Sequence, residues 1–353
     1  MRQAFPISIA LASALLWACG CQEDLERVSE VTKFRLLAVQ ADPPEVAPGG
    51  ATVIRLLTAD PNGQGRRVIA GGIVVPGLIT PMGSGDTDSA PPIFFDLPFT
   101  DANHEGVISF PGQLAIPNYY LEGGAQVPIA PPGDPLTMTA IVFVCAGDGF
   151  DEALAYGALA GLTGGGSESA AEESFASVCM EAGADEGIAT FKTFDVITCD
   201  PATSAFSCDG EYTQNANPEI SSVTLGREPL DTSESGLCFE CDASDGCRKP
   251  LKVRAFLDAD SFQRYERPLA TNLDETELVY ERTYISWFGT GGSFDQDRSG
   301  NASTPTEPRA DDPFEASWTP SPKGGDYTLW AVAHDLRGGV SWKIFSVSAI
   351  APQ

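Results

Sequence analysis

The stretch "GGDYTLWAVAHDLRGGVSWKIFSVSA", residues 324–349, decides the fold. It holds two runs rich in β-branched and aromatic residues, "DYTLWAVAHD" and "VSWKIFSVSA", and a Gly-Gly turn leads from the first into the second. Such residues suit a pleated, half-buried surface, and glycine supplies the backbone freedom that a tight turn needs. Working outward, "LKVRAFLD" alternates strictly, with Leu251, Val253, Ala255 and Leu257 facing inward and Lys252 and Arg254 outward. "TYISWFG" adds a fourth strand to this half of the chain. Short strands at regular spacing with turns between them predict a β-sandwich.

The first half repeats the habit. Phe34, Leu36 and Ala38 fall on one side of an alternating run, and Ile54, Leu56 and Thr58 do so again after a turn rich in Pro and Gly. "DPPEVAPGG" is excluded from a central strand because its prolines lack the ladder donor. "DPNG" at 60–63 is a turn, while "LTMTAIVFVC" (136–145) and "GIATFKTFDVITC" (187–199) are strands. Between them, residues 151–182 are rich in Ala and Glu and broken by "GGGSES", which predicts two short helices inserted between strands. A domain boundary is expected where turn formers cluster in "DGEYTQNANP" (209–218).

The chain has 353 residues, and its 36 Gly and 27 Pro fit many turns better than long helices. Acidic residues outnumber basic ones 49 to 21, for a net charge of −28. That surface repels phosphate backbones and excludes DNA or RNA as a partner.

The N-terminus carries one positive charge ahead of a mostly apolar segment from Phe5 to Trp17, too short to span a membrane. Leu16-Trp17-Ala18-Cys19 resembles the lipobox of bacterial lipoproteins, with Trp17 departing from the small residue usual there. The register Ala18-Cys19-Gly20-Cys21 competes, so Cys19 is the preferred lipidation site and Cys21 the alternative. The resemblance implies an outer-membrane lipoprotein of the cell envelope, held on the membrane by acyl chains on its N-terminal cysteine. Residues 324–349 look like the last two strands of a PKD-type immunoglobulin-like domain, and residues 41–63 are similar to the opening strands of bacterial immunoglobulin-like modules. The expected organisation is therefore all-β: signal peptide 1–18, charged tether 19–33, a first immunoglobulin-like domain 34–212 with a helical insert at about 151–182, and a second, PKD-type domain 213–353.

Export makes disulfides the default for Cys145, Cys179, Cys199, Cys208, Cys238, Cys241 and Cys247. Cys145 with Cys179 and Cys199 with Cys208 are the preferred pairs. A zinc site in "CFECDASDGC" (238–247) lacks a nearby fourth ligand, since His104 and His334 are both distant in sequence.

No catalytic set stands out. His334 adjoins Asp335 on a strand, where successive side chains point to opposite faces. No G-x-S-x-G elbow is present, and "GLTGGGSES" (161–169) lacks the lysine of a phosphate-binding loop. "DQDRSGN" (295–301) imitates the start of a calcium loop through Asp295, Asp297 and Ser299, but Thr306 occupies its twelfth place, and an acidic turn is preferred. No cofactor or metal is expected. The sequence points to a non-enzymatic, lipid-anchored protein whose sandwiches bind a protein or glycan ligand or serve structurally. The competing expectation is an exported hydrolase of envelope or extracellular polymers.

Overall fold

The computed structural model describes residues 28–47, 49–61, 66–76, 95–100, 105–109, 119–122, 125–128, 136–148, 179–197, 214–230, 236–242, 244, 246–269, 272–300 and 308–352. They build two immunoglobulin-like β-sandwiches. The first contains β1 (Arg35–Asp42), β2 (Glu45–Val46), β3 (Ala51–Ala59), β4 (Arg67–Pro76), β5 (Phe95–Thr100), β6 (Glu105–Ser109), β7 (Tyr119–Glu122), β8 (Ala125–Pro128), β9 (Leu136–Gly147) and β10 (Glu186–Val196). The second contains β11 (Ile220–Leu225), β12 (Glu228–Leu230), β13 (Leu237–Glu240), β14 (Leu251–Leu257), β15 (Arg264–Leu269), β16 (Asn272–Tyr280), β17 (Thr283–Gly289), β18 (Ser293–Phe294), β19 (Arg298–Gly300), β20 (Phe314–Thr319), β21 (Gly325–Asp335) and β22 (Val340–Ile350).

The two sandwiches share one strand plan. In the first, β1 pairs antiparallel with β3, then the chain leaves that ladder at Pro43-Pro44, which have no N–H to give it, and β2 pairs parallel with β10. In the second, β11 pairs antiparallel with β14, while β13 pairs parallel with the last strand, β22. An opening segment that contributes to both sheets, parallel to the final strand, joins the two faces of each sandwich. The second has separate sheets, β12-β11-β14-β20-β18 and β13-β22-β21-β17-β19. In the first, β5 pairs with both β4 and β6, so the order runs continuously β1-β3-β6-β5-β4-β9-β10-β2.

Apolar alternation fills both interiors. The first core gathers Phe34, Ile54, Leu56, Met138, Val142, Val144 and Phe194. The second is more aromatic: Trp287, Trp318, Phe314, Phe345 and Tyr327 lie together, with Trp318 edge-on to Tyr327 at 5.1 Å between centroids. Both indoles are satisfied, Trp287 donating to Ser299 Oγ (2.9 Å) and Trp318 to the Gly291 carbonyl (3.1 Å).

Three sequence expectations change in detail. Ala38 does not continue the inward side begun by Phe34 and Leu36, because a bulge between Leu36 and Ala38 shifts the register; Val39 and Ala41 take over the core. Ala38 instead joins a cluster between the sandwiches. Residues 28–33, the end of the expected charged tether, are packed: Val31 is fully buried, and it donates to the Gly289 carbonyl (2.8 Å) while Gly289 donates to Ser29 (2.9 Å). They form a turn and a bridge. Of the expected helical insert, residues 151–178 lie outside the described residues, and residues 179–181 form one helical turn that covers the outer face of β9. Among the described residues, no helix is long and apolar enough to cross a membrane.

Candidate functional site

Among the described residues, the densest gathering of buried polar groups lies where the sandwiches meet. The junction has an apolar half, in which Val31, Ala38, Leu57 and Ala59 pack against Trp330, Val332 and Val340 on the outer face of the β21–β22 ladder. Its polar half is built around Arg337, in the turn between β21 and β22. That turn is locally determined. Asp335 Oδ1 accepts the N–H groups of Arg337 (2.8 Å) and Gly339 (2.7 Å). Gly338 has a positive φ of 94°, and a Cβ at Gly339 would sit 2.0 Å from Asp335 Oδ2. The Gly-Gly pair legible in the sequence thus serves a carboxylate-capped turn that aims Arg337 at the other sandwich.

Arg337 binds Glu45 of β2 (2.6 Å) and Glu281, just before β17 (3.2 Å), and lies over the ring of Tyr265 (5.5 Å). Lys192 of β10 donates to the Gly338 carbonyl. The segment between the domains is stitched into the same place. Gln214 donates to the Glu45 carbonyl and the Asn215 N–H donates to the Glu45 carboxylate, both at 2.6 Å. Asn217 bridges the two sandwiches, donating to the Ala41 carbonyl (2.9 Å) and accepting the Val340 N–H (2.8 Å). Gln40 donates to the Val340 carbonyl (2.6 Å). The two sandwiches therefore touch through an apolar patch and a set of hydrogen bonds, and Asn217 of the connecting segment bonds to both.

Burial sets the electrostatics. The Glu281 carboxyl is pushed up to about 8 by burial and by the nearby Asp335 and Glu45, against the opposing pull of Arg337. Burial also raises Asp335 and Asp195 and lowers Lys192 to about 8. Glu45, Glu281 and Asp335 are 3%, 1% and 5% exposed, so none can touch a substrate in this arrangement. The cluster holds buried charge between the domains.

The residues singled out from the sequence are scattered. Cys145 and Cys179 form a disulfide, tying the 179–184 cover to β9. Cys241 pairs with Cys247 across the Asp242–Gly246 turn. Cys238 departs from expectation: it is free and exposed, because strand alternation turns it to the opposite side of β13 from Leu237 and Phe239, which pack on the core together with Cys241. Cys19, Cys21, Cys199, Cys208 and His104 lie outside the described residues. His334 stacks on Tyr284 at 4.6 Å, and its pKa falls to about 4 through burial and the charges of Lys192 and Arg298. The oxygens of the calcium-like stretch do not converge. Asp295 accepts the Ser317 N–H (2.7 Å), and Ser299 turns inward to Trp287. Among the described residues, no three His, Cys, Asp or Glu side chains come close enough to hold a metal ion. What the sequence did not reveal is the polar junction; Glu45, Glu281 and Arg337 are ordinary surface residue types, and only their burial marks them.

No family model matches the chain, and no curated protein does. Among solved structures it is similar to red sea bream transglutaminase (10% identity, TM-score 0.21), with 98% of this chain covering 34% of that one. It is likewise similar to Escherichia coli alpha-2-macroglobulin activated by porcine elastase (9%, 0.20; 91% of this chain, 22% of that one). A third is dimeric latent PorU from Porphyromonas gingivalis (10%, 0.19; 90% and 24%). The chain spans about a third or less of each of these proteins. Likenesses at such scores bear no weight for function.

Proposed function

We propose that this is a lipid-anchored, non-enzymatic protein of the bacterial cell envelope, whose joined sandwiches act as one rigid module for a binding or structural role. The observation that carries the reading is Leu16-Trp17-Ala18-Cys19 behind a short apolar segment. Two disulfides support it, since they suit an oxidising compartment. The bonded junction adds a physical reason: a pair of domains held in contact presents its loops and sheet edges at a set spacing, which lowers the ordering cost of engaging a protein or glycan. Its place is the outer membrane, with acyl chains on Cys19.

The test is the mass of the N-terminal peptide of the full chain from a host that processes lipoproteins, beside Cys19→Ser and Cys21→Ser variants. A lipid-sized addition that vanishes only in Cys19→Ser is expected. An unmodified mature N-terminus, or one unaffected by either change, overturns the anchor.

A further inference from the structure

Among the described residues, the buried carboxylates at the junction outnumber the cations. Four carboxylates, Glu45, Asp195, Glu281 and Asp335, meet two cations, Arg337 and Lys192. Glu281 has one oxygen bonded to Arg337, while its Oε2 is buried without a hydrogen-bond partner; Asp335 Oδ2 is likewise buried and unpartnered. An ionised oxygen in that position forfeits its hydration with nothing in return, whereas a neutral carboxyl forfeits far less. No third metal-ligating side chain comes near enough to make a metal site among the described residues. Four carboxylates exceed two cations by two charges, and a proton on the Glu281 carboxyl, whose Oε2 has no partner, removes one of them.

We propose that the junction between the sandwiches is a proton-held lock: Glu281 carries a proton through neutral pH, and its loss at mildly alkaline pH weakens the docking of one sandwich on the other. The groups facing it come from both sides. The first sandwich contributes Glu45 from β2 and Lys192 and Asp195 from β10. The second contributes Asp335 and Arg337 from the β21–β22 turn and Tyr265 from β15, with His334 and Arg298 beyond Lys192. Ionised, Glu281 would oppose Glu45 across the interface while sharing Arg337 with it, and separating the sandwiches is what relieves that opposition.

The sign follows from linkage. Glu281 is raised in the folded chain, so its contribution is full below the ordinary glutamate range and is lost as pH rises through about 8. Lys192 is lowered to about 8, so its contribution is full above the ordinary lysine range and is lost as pH falls toward about 8. His334, lowered to about 4, acts only below the ordinary histidine range. Stability therefore declines between about pH 6.5 and about pH 8 and recovers above it, where Lys192 sheds its proton.

The experiment follows the melting midpoint and the small-angle scattering radius of the full chain in detergent across that range, for the wild type and Glu281→Gln. Expected are a midpoint that dips near about pH 8 with a concurrent rise in radius, and a Gln variant whose decline below about pH 8 is flattened by one proton's worth of slope. Difference infrared spectroscopy of the wild type reads the same proton without relying on a variant: a protonated-carboxyl band at neutral pH that is lost on raising the pH. The proposal is overturned by an unchanged decline in the Gln variant, by the absence of that band, or by a midpoint that falls on chelation, which would put a metal cation where the proton is placed.

Discussion

The two sandwiches use one strand plan and secure it differently. The second keeps its sheets apart and fills the gap with large aromatic side chains, Trp287 and Trp318 among them, each tethered by its indole N–H. The first has a leaner, largely aliphatic core, lets β5 join its two faces, and covers the outer side of β4 and β9 with a short segment fixed by the Cys145–Cys179 disulfide. Sheet topology thus does not dictate where stability resides. One domain concentrates it between its sheets; the other spreads it to both sides of one sheet and closes it covalently.

The sharpest way to break this contrast is Trp318→Ala. The side chain is fully buried, and its removal is expected to cost about 3–5 kcal/mol. Because the junction joins the domains, calorimetry should show one transition displaced downward. Two separated transitions, with the first sandwich unaffected, would show that the domains are energetically independent. Next comes the covalent closure. Cys145→Ser with Cys179→Ser opens a link of 34 residues' separation and should cost about 4 kcal/mol, whereas Cys241→Ser with Cys247→Ser, separated by 6, should cost about 2. Denaturant melts that ranked the pairs in reverse would move the covalent burden to the second sandwich. The smallest effect tests close packing on the covered face. A Cβ at Gly71 would lie 1.9 Å from Phe143 Cζ, so Gly71→Ala is expected to cost about 1–3 kcal/mol. Combining it with Phe143→Leu should cost less than the sum of the two changes, and strict additivity would deny the contact.

Much of the architecture was legible because alternation is a local property. In "LKVRAFLD", Val253, Ala255 and Leu257 are buried as expected, and the outward Lys252 and Arg254 both reach Glu315 on β20. The Gly-Gly turn was equally plain. The junction was not, because it depends on register and on which outer faces meet. A single bulge sends Ala38 to join Leu37 in the cluster with Trp330 and Trp342 rather than to the core, and nothing in "FRLLAVQ" announces it. Likewise Glu45 sits in a proline-rich stretch that reads as a plain turn, yet it receives Arg337 from 292 residues away. The cysteines show the same limit. Export made a disulfide the default for Cys238, and strand alternation turned it away from the other cysteines.

The short bridge between residues 29–31 and Gly289 has a mechanical consequence. Tension applied through the N-terminus reaches the second sandwich before it reaches β1, although that sandwich is the later part of the chain. The load falls first on two backbone hydrogen bonds running alongside β17, a parallel arrangement in which both bonds are sheared together instead of being peeled singly. The same bridge sets an order of assembly: residues 29–31 wait through the synthesis of some 258 residues, from Val31 to Gly289, before their partner exists. Residues 29–31 are thus made well before their partner and are among the last to be secured.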